Sequence, residues 1–254
     1  MDAVLRTDNL TRVFTRKGRD SLTAVDHISF RLNRGECLGI VGESGSGKTT
    51  VVNMITRLLD ASEGHIYLDG EDITHLKGSA LRRVYTKMQM VFQSPVESFD
   101  PRQKLGDGIA ESLRNNGWSR EAARKETLRL LKQCGLPGGF ADRYPHEVSG
   151  GQCQRAAIAR ALAIRPEILI CDEATSALDV TIQKEILELL NLLRRQQGTD
   201  LSILFISHDI ALVQQFCDRM LVMYRGRIVE EGIPNDVIHN PKHEYTRRLI
   251  DSVL

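Results

Sequence analysis

The sequence has few cysteines, and none of them is spaced as a metal site requires. Five cysteines occur among 254 residues, and no two form a Cys-x-x-Cys pair. Small domains held by disulfides carry a higher density of cysteine, usually in even number. The pattern therefore excludes a disulfide framework and a zinc site. It predicts reduced core thiols in a cytoplasmic protein at Cys37, Cys134, Cys153, Cys171 and Cys217.

Long apolar runs and an excess of charge of one sign are also missing. The run at residues 201–206 is among the longest, whereas a membrane-spanning helix needs ~20 apolar residues. The N-terminus shows no charged-then-apolar signal pattern. Lys and Arg total 34 against 33 Asp and Glu, which gives a net charge of +1. This balance argues against a polybasic nucleic-acid binder. We expect a globular protein that reaches any membrane through a partner.

The apolar pattern predicts strands that alternate with helices in the first and last thirds of the chain. Short continuous apolar runs at residues 37–41, 168–171 and 201–206 are typical of strands buried on both faces of a sheet. Apolar residues recur at helical spacing in residues 49–59 and 182–195. Buried strands that follow crossover helices favour a parallel sheet covered by helices. The sequence therefore predicts an α/β core.

Two hairpins and a helical insertion are also predicted. Asp69-Gly70 and Arg225-Gly226 each lie between two strand-like segments, which is the usual position of a tight turn. Charge and helical spacing dominate the middle of the chain, with a helix expected at residues 119–134. We therefore predict a single domain, in which residues 1–93 and 150–254 form the α/β core and residues 94–149 form a helical subdomain.

The most informative motif is GESGSGKT at residues 42–49, which fits the phosphate-loop pattern G-x-x-x-x-G-K-[ST]. It lies between a predicted buried strand and a predicted helix. Its glycines leave room for phosphates and permit positive φ, and the backbone amides around them suit an anion. Lys48 supplies a positive charge for the β- and γ-phosphates, and the Thr49 hydroxyl is placed for Mg²⁺. The motif predicts a nucleoside triphosphate site.

An acidic pair follows the second predicted buried strand. Asp172 and Glu173 end the segment ILICDE, and ligands gather at the carboxyl ends of strands in open α/β sheets. Asp172 would support the Mg²⁺ shell, and Glu173 could reach the water that faces the γ-phosphate. Two surface acids that cap the following helix are the alternative. The upstream phosphate loop favours the catalytic interpretation.

The segment VSGGQ at residues 148–152 predicts a second helix start that faces an anion. Ser149 and Gln152 have the spacing of a capping box. Gly150 and Gly151 each cost a helix about 1 kcal/mol relative to alanine. One interpretation is a well-capped helix and nothing more. The two glycines favour the other interpretation, in which a ligand approaches the backbone closely.

These motifs resemble, in the same order and over nearly the whole chain, those of the ATP-binding subunits of ABC transporters. Residues 42–50 resemble Walker A, residues 148–152 the signature, and residues 168–173 Walker B with its glutamate. Gln93 resembles the Q-loop glutamine, and His208 resembles the switch histidine. Val148 stands where this family usually has leucine in the signature.

Further positions extend the resemblance. The segment SALD at residues 176–179 resembles the D-loop, and Phe14 takes the place of an aromatic residue that stacks on adenine; Phe14 as a core residue is the alternative. The ATP-binding residues that the resemblance implies are Phe14, Gly42, Glu43, Ser44, Gly45, Ser46, Gly47, Lys48, Thr49, Thr50, Ser149, Gly150, Gly151 and Gln152. The implied Mg²⁺ ligands are Thr49, Gln93 and Asp172.

The resemblance also implies a fold and a mechanism. The fold would be a P-loop NTPase core with a mixed, mainly parallel sheet, an antiparallel β subdomain and an inserted helical subdomain. The implied catalytic residues are Lys48, Gln93, Glu173 and His208. Glu173 would orient or deprotonate the attacking water, His208 would contact the γ-phosphate, and Gln93 would link Mg²⁺ and the water to the helical subdomain. Two subunits would be needed, because the signature of one caps the γ-phosphate held by the other.

Three segments resemble more narrowly the ATPases of peptide and nickel importers. They are residues 93–102, 171–183 and 240–250. Many peptide-importing members continue into a cysteine-rich extension, which is not found before Leu254. We therefore expect nickel or metallophore import to be slightly favoured over peptide import. The implied partners are a second ABC ATPase subunit, membrane permease subunits and, indirectly, a substrate-binding protein. The expected location is the cytoplasmic face of the membrane.

Two other functions stay open at this point. A similar C-terminal end occurs in the ATP-binding component of the carbon–phosphorus lyase assembly, so a non-transporting role in a soluble enzyme complex is the main alternative. A nucleic-acid-associated ABC ATPase would instead carry long coiled coils or two fused cassettes. The length and the near-neutral charge do not fit that class.

Overall fold

The computed structural model describes residues 2–15, 21–176, 178–196 and 200–252. The strands in chain order are β1 (Ala3–Phe14), β2 (Leu22–Asn33), β3 (Cys37–Val41), β4 (Glu63–Leu68), β5 (Glu71–Asp72), β6 (Met88–Val91), β7 (Ile168–Asp172), β8 (Ser202–Ser207), β9 (Arg219–Tyr224) and β10 (Arg227–Gly232). The helices are α1 (Lys48–Ile55), α2 (Gly78–Lys87), α3 (Leu105–Asn115), α4 (Arg120–Gln133), α5 (Gly150–Leu162), α6 (Val180–Arg195), α7 (Ile210–Phe216), α8 (Pro234–His239) and α9 (Glu244–Asp251).

The chain forms two compact units, and the first consists of Met1–Tyr85 with Asp200–Leu254. One sheet of this unit is antiparallel, with strand order β2-β1-β4-β5. In a second group of strands, β3 pairs in parallel with both β8 and β9, and β10 pairs antiparallel with β9. Every residue of β3 and β8 is buried, as predicted for strands covered on both faces. The helix α7 packs on β3 and β8.

The second unit is Thr86–Thr199. Its strands β6 and β7 pair in parallel, and α5 packs on β6. Residues 94–149 contain only helices and turns, including two short 3₁₀ helices at Gly138–Asp142 and Pro145–Glu147. The boundaries proposed for the helical subdomain, after residue 93 and before residue 150, remain a prediction. This unit carries the segments that resemble the Q-loop, the signature and Walker B.

Both predicted hairpins are present, and their turns have the expected conformation. Asp69 and Gly70 have φ values of 51° and 80°, and Arg225 and Gly226 have values of 46° and 80°. Two consecutive positive φ values match the right-handed twist of the flanking strands, which explains the glycine in each second position.

The first helix and the first strand differ from the sequence-based expectation. The helix predicted at residues 49–59 ends at Ile55, and the side chain of Leu58 is 62% exposed rather than buried. The hydroxyl of Thr56 donates to the Val52 carbonyl, and Arg57 has a φ of 59°, which ends the helix. The strand β1 was not predicted, because charged and polar residues interrupt its apolar pattern. Pairing with β2 on one side and β4 on the other forms it.

The cysteines lie where the sequence analysis placed them. All five are buried. Burial raises the pKa of the Cys134 thiol to about 12 and that of Cys153 to about 11. Thiols of this kind are unreactive, because the thiolate is the nucleophile and the metal ligand. In the part of the chain that the structure describes, no helix has the length and apolar character to cross a bilayer.

Candidate functional site

The phosphate-loop motif forms the connection between β3 and α1. Within this loop Gly45 and Gly47 have φ values of 80° and 105°, a region that favours glycine. The amide of Ser46 donates to the Glu43 carbonyl at 3.2 Å, and the carbonyl of Ser46 accepts from the Gly226 amide at 2.9 Å. The turn between β9 and β10 therefore holds the loop from one side.

Two of the loop glycines are required by the protein's own backbone. A Cβ atom at Gly42 would lie 2.2 Å from the Met223 carbonyl oxygen, and one at Gly47 would lie 2.5 Å from the Ala24 carbonyl oxygen. At Gly45 a Cβ would meet no atom within 4 Å. The sequence analysis assigned all three glycines to phosphate. The structure shows that Gly42 and Gly47 also permit close packing of the loop.

Lys48 lies inside the loop with only 5% of its surface exposed. Its Nζ atom donates to the carbonyl of Gly42 at 2.6 Å and to that of Glu43 at 2.9 Å. The ammonium group is thus held at the loop by acceptors that a phosphate oxygen can replace. Thr49 follows at the start of α1 and is exposed, with Thr50 half-buried behind it. The loop therefore presents a positive charge, a hydroxyl and a helix N-terminus together, which suits an anion.

A tyrosine that the sequence analysis did not single out also holds this loop. The hydroxyl oxygen of Tyr245, in α9, accepts a hydrogen bond from the Glu43 amide at 2.9 Å. The ring of Tyr245 stacks on Tyr224 with centroids 4.1 Å apart. Tyr245 belongs to one of the segments on which the resemblance to importers was based. Its contact with residue 43 joins positions 202 residues apart, which no local pattern could have indicated.

The remaining predicted positions of this unit lie at strand ends. His208 directly follows β8 and is exposed. The next residue, Asp209, caps α7 by accepting from the amides of Ala211 and Leu212, so the capping role belongs to Asp209. Phe14 ends β1 and is half-buried, and the guanidinium of Arg12 lies 4.7 Å from its ring centroid.

In the second unit, Gln93 and Glu173 come together. They follow β6 and β7, whose parallel pairing aligns Val91 with Cys171. The Nε2 atom of Gln93 lies 3.1 Å from Oε2 of Glu173. Asp172 ends β7 and is 9% exposed. The acidic pair therefore lies where the sequence analysis placed it, and neither acid caps α6, which is capped by Asp179 instead.

The signature segment has the predicted capping box. The hydroxyl of Ser149 accepts from the Gln152 amide at 3.3 Å, and the Gln152 side-chain oxygen accepts from the Ser149 amide at 3.0 Å. These reciprocal bonds satisfy two of the unpaired donors of the helix start. The helix α5 begins at Gly150, and Ser149 and Gly150 at this helix start are both exposed.

The two signature glycines have different surroundings. A Cβ at Gly151 would lie 2.6 Å from Cγ2 of Ile182, whereas one at Gly150 would make an ordinary 3.5 Å contact with Leu178. Gly151 is buried and Gly150 is exposed. The expectation that a ligand approaches the backbone at both glycines therefore holds for Gly150 alone. Packing against α6 accounts for Gly151, and only Gly150 lies open to an approaching anion.

The segment that resembles the D-loop is described except at one position. Ser176 and Asp179 are placed, and Asp179 accepts from the Ile182 amide at the start of α6. Ala177 lies outside the described residues.

The donor set at the predicted metal positions fits Mg²⁺. This ion prefers oxygen ligands, keeps several waters, and binds through one or two carboxylates together with phosphate oxygens. Asp172 offers a carboxylate and Thr49 an exposed hydroxyl. Among the described residues, no group of three or more His, Cys, Asp or Glu side chains could hold a metal.

Comparison with known proteins decides the family. The family described as ABC transporter matches residues 25–176, which is more than half of the chain. The chain belongs to this family. It is 46% identical over 235 residues to the oligopeptide transport ATP-binding protein OppF of Escherichia coli, a match that covers 92% of this chain and 70% of OppF.

Solved ABC structures share the fold. The ATP-binding cassette MJ0796, in a dimeric post-hydrolysis state with ADP and Pi, has a TM-score of 0.81 and 31% identity, over 91% of this chain and 98% of that one. The protein cbiO1 from Clostridium perfringens, part of the ABC transporter complex cbiONQ, has a TM-score of 0.83 and 28% identity, over 100% and 96%. The predicted α/β P-loop NTPase fold is confirmed. The chain is an ATP-hydrolysing ABC subunit.

Proposed function

We propose that this ABC ATPase powers a peptide importer. The observation that carries the proposal is the 46% identity to an oligopeptide transport ATP-binding protein across 92% of the chain. The expectation from sequence slightly favoured nickel or metallophores. The named relatives support peptides instead, and nickel stays an untested alternative. The names of these relatives also do not favour the soluble lyase-type complex that was the main alternative.

We further propose that two subunits form each ATP site. The cassette MJ0796 was solved as a dimer, and the exposed start of α5 offers a second anion-binding helix tip in addition to the phosphate loop. A single phosphate loop already offers one triphosphate tail its hydrogen-bond donors, so a second anion-binding helix start in the same chain is free to serve another nucleotide. The signature of one subunit would therefore close over the γ-phosphate that the partner's loop binds.

The roles of the site residues follow from their chemistry. Lys48 exchanges its loop carbonyl acceptors for the β- and γ-phosphate oxygens and neutralises charge that develops there. Glu173 accepts a proton from the attacking water or orients it. His208 contacts the γ-phosphate from the end of β8. Mg²⁺, held by Thr49, Asp172 and Gln93, would neutralise further phosphate charge. Phe14 would stack on adenine.

The partners are proposed from the same family. Membrane permease subunits would carry the cargo path, a substrate-binding protein would deliver the peptide, and the ATPase would lie at the cytoplasmic face of the membrane. ATP would drive the cycle by binding the closed dimer more tightly than the open one, because a ligand shifts an equilibrium only through such a difference.

Co-purification and transport together test the proposal. The chain is tagged, extracted from membranes with detergent in MgATP, and its partners are identified by mass spectrometry. We expect two polytopic permease proteins together with an ABC ATPase subunit. After reconstitution with the binding protein in liposomes, a mixture of short peptides should stimulate ATP hydrolysis, whereas Ni²⁺ should not.

The contrary outcomes are distinct. Recovery of soluble enzyme subunits without permeases would overturn the importer proposal in favour of the lyase-type complex. If Ni²⁺ stimulates ATP hydrolysis and peptides do not, the proposal of an importer stands and the proposal of a peptide cargo is overturned.

A further inference from the structure

The C-terminal helix α9 reaches the phosphate loop through one side chain. Tyr245 is only 2% exposed, and its hydroxyl oxygen accepts the Glu43 amide hydrogen at 2.9 Å. Burial raises the pKa of Tyr245 above its ordinary value, so the phenol keeps its proton. A neutral hydroxyl is thus fixed beside the second residue of the loop.

Lys48 bonds the carbonyl of both peptide units that flank Glu43, and Tyr245 bonds the amide of the first. The Glu43 carbonyl accepts from Lys48 Nζ at 2.9 Å and from the Ser46 amide at 3.2 Å. The Glu43 amide is bonded to Tyr245. When Lys48 turns to phosphate, the loop loses the bonds from Nζ to the carbonyls of Gly42 and Glu43. The Tyr245 bond does not involve Lys48.

Tyr245 is itself held from two directions. Its ring stacks on Tyr224, which ends the strand β9 beside β3. The chain just before α9 is bound by Glu230 of β10, whose carboxylate accepts from the amides of Lys242 at 2.9 Å and His243 at 3.0 Å. These contacts hold the side chain of Tyr245 in one position, so its hydroxyl is not a mobile surface group.

We propose that Tyr245 is a positioning residue for nucleotide binding, whose hydroxyl keeps the 42–47 loop in its anion-accepting conformation when Lys48 moves from the loop carbonyls to phosphate. The inference rests on the proposal that this loop binds the nucleotide. It assigns to α9 a role in the ATP site. Tyr245 touches neither nucleotide nor water in this role and acts only through the Glu43 amide.

The test compares two single-atom deletions. Tyr245→Phe removes the hydroxyl and keeps the buried ring and its stacking. Tyr224→Phe removes the other hydroxyl of the same stacked pair and is the matched control. The dissociation constants of MgATP and MgADP are measured by calorimetry on the full chain, together with KM and kcat for ATP hydrolysis.

Loss of one hydrogen bond predicts that Tyr245→Phe raises both dissociation constants and KM about 3- to 10-fold, with kcat at saturating ATP within about twofold. Tyr224→Phe should match the wild type. A purely structural role would lower thermal stability and leave the affinity of the folded protein unchanged. Unchanged affinity in Tyr245→Phe, or an equal loss in Tyr224→Phe, would overturn the inference.

Two further measurements keep the inference separate from other failures. Lys48→Ala tests the loop itself: if it leaves MgATP affinity unchanged, the proposed nucleotide site is wrong, whereas a loss in Lys48→Ala without one in Tyr245→Phe rejects the tyrosine alone. In the wild type without nucleotide, the Glu43 amide should be protected from hydrogen exchange by NMR. Exchange at the rate of an open amide would contradict the proposed bond even if Tyr245→Phe does not fold.

Discussion

Gln93 donates a hydrogen bond from its side-chain amide to the carboxylate of Glu173, with Nε2 3.1 Å from Oε2. The same nitrogen lies 3.2 Å from Oγ of Ser176, and that hydroxyl donates to the Glu173 carbonyl at 2.9 Å. Glu173 has a φ of 47°, a conformation that is costly for a residue with a side chain and that clusters at functional sites. The proposed general base is therefore held at both its backbone and its side chain.

Glu173→Gln should separate ATP binding from hydrolysis. The substituted side chain keeps the size of the original and loses the ability to accept a proton. We expect unchanged MgATP affinity and a turnover lowered by about 10²–10⁴. Phosphate release at saturating ATP measures the rate, and size-exclusion chromatography should show a stable ATP-bound dimer. Turnover at the wild-type rate would remove Glu173 from its proposed role.

Gln93→Ala should lower turnover through Glu173. A hydrogen bond to a charged group contributes about 1.5–3 kcal/mol. If this bond orients the carboxylate, its loss lowers kcat about 10- to 100-fold. The affinity for ATP without Mg²⁺ should stay unchanged, because Gln93 is proposed to bind the metal and not the nucleotide. Steady-state kinetics with Gln103→Ala, an exposed glutamine that precedes α3, serves as the control. A variant with normal kcat would show that Glu173 is held without this amide.

The signature glycines should respond differently to alanine. Gly151→Ala places a Cβ 2.6 Å from Ile182 Cγ2, and overpacking of this kind costs about 1–3 kcal/mol. Gly150→Ala should fold normally and lower ATP turnover, because its added methyl group lies on the exposed helix tip. Urea unfolding and phosphate release measure the two effects.

A second substitution checks the packing explanation. Ile182→Ala removes the atom that a methyl group at residue 151 would meet, so the double variant should lose less stability than the two single losses added together. Simple additivity would point to another reason for Gly151.

Ser149→Arg should abolish ATP hydrolysis and leave the nucleotide affinity of a single subunit nearly intact. The large side chain blocks the helix tip that the proposed dimer places on the partner's γ-phosphate. It also removes the Ser149 cap, at about 0.5–2 kcal/mol. Ser149→Asn, which retains a capping side chain, controls for that loss. Calorimetry that finds lost affinity in the isolated chain would place the signature in its own subunit's site.

Glu230→Gln should lower stability at neutral pH. Burial alone would raise the pKa of Glu230, but hydrogen bonds from the Lys242 and His243 amides outweigh it and hold the pKa below its ordinary value of 4.5. Such a carboxylate contributes fully above pH 4.5, and the contribution is lost as the pH falls through the lowered pKa.

The difference in free energy of unfolding between wild type and Glu230→Gln should therefore shrink as the pH falls below 4.5. Urea unfolding at a series of pH values measures it, with the exposed Glu63→Gln as the control. A difference that is constant with pH would show that the carboxylate's charge is not what stabilises α9.

Sequence reasoning predicted those parts of the site that lie in continuous segments. The phosphate loop at residues 42–49, the acidic pair after β7 and the capping box at Ser149 each depend on residues within a few positions of one another. Their backbone geometry follows from local preferences such as glycine at positive φ. The error at Leu58 has the same origin, because helical spacing continued in the sequence after Thr56 and Arg57 had ended the helix.

The sequence by itself determined the family, the phosphate loop and the order of the catalytic motifs. Each of these is encoded in a short run of residues whose chemistry can be recognised without the rest of the fold. Only the tertiary structure decided that Tyr245 holds Glu43 and that Gln93 holds Glu173, pairs separated by 202 and 80 residues. Side chains so far apart meet only through the pairing of strands and the packing of helices. Neither local spacing nor composition reports such contacts.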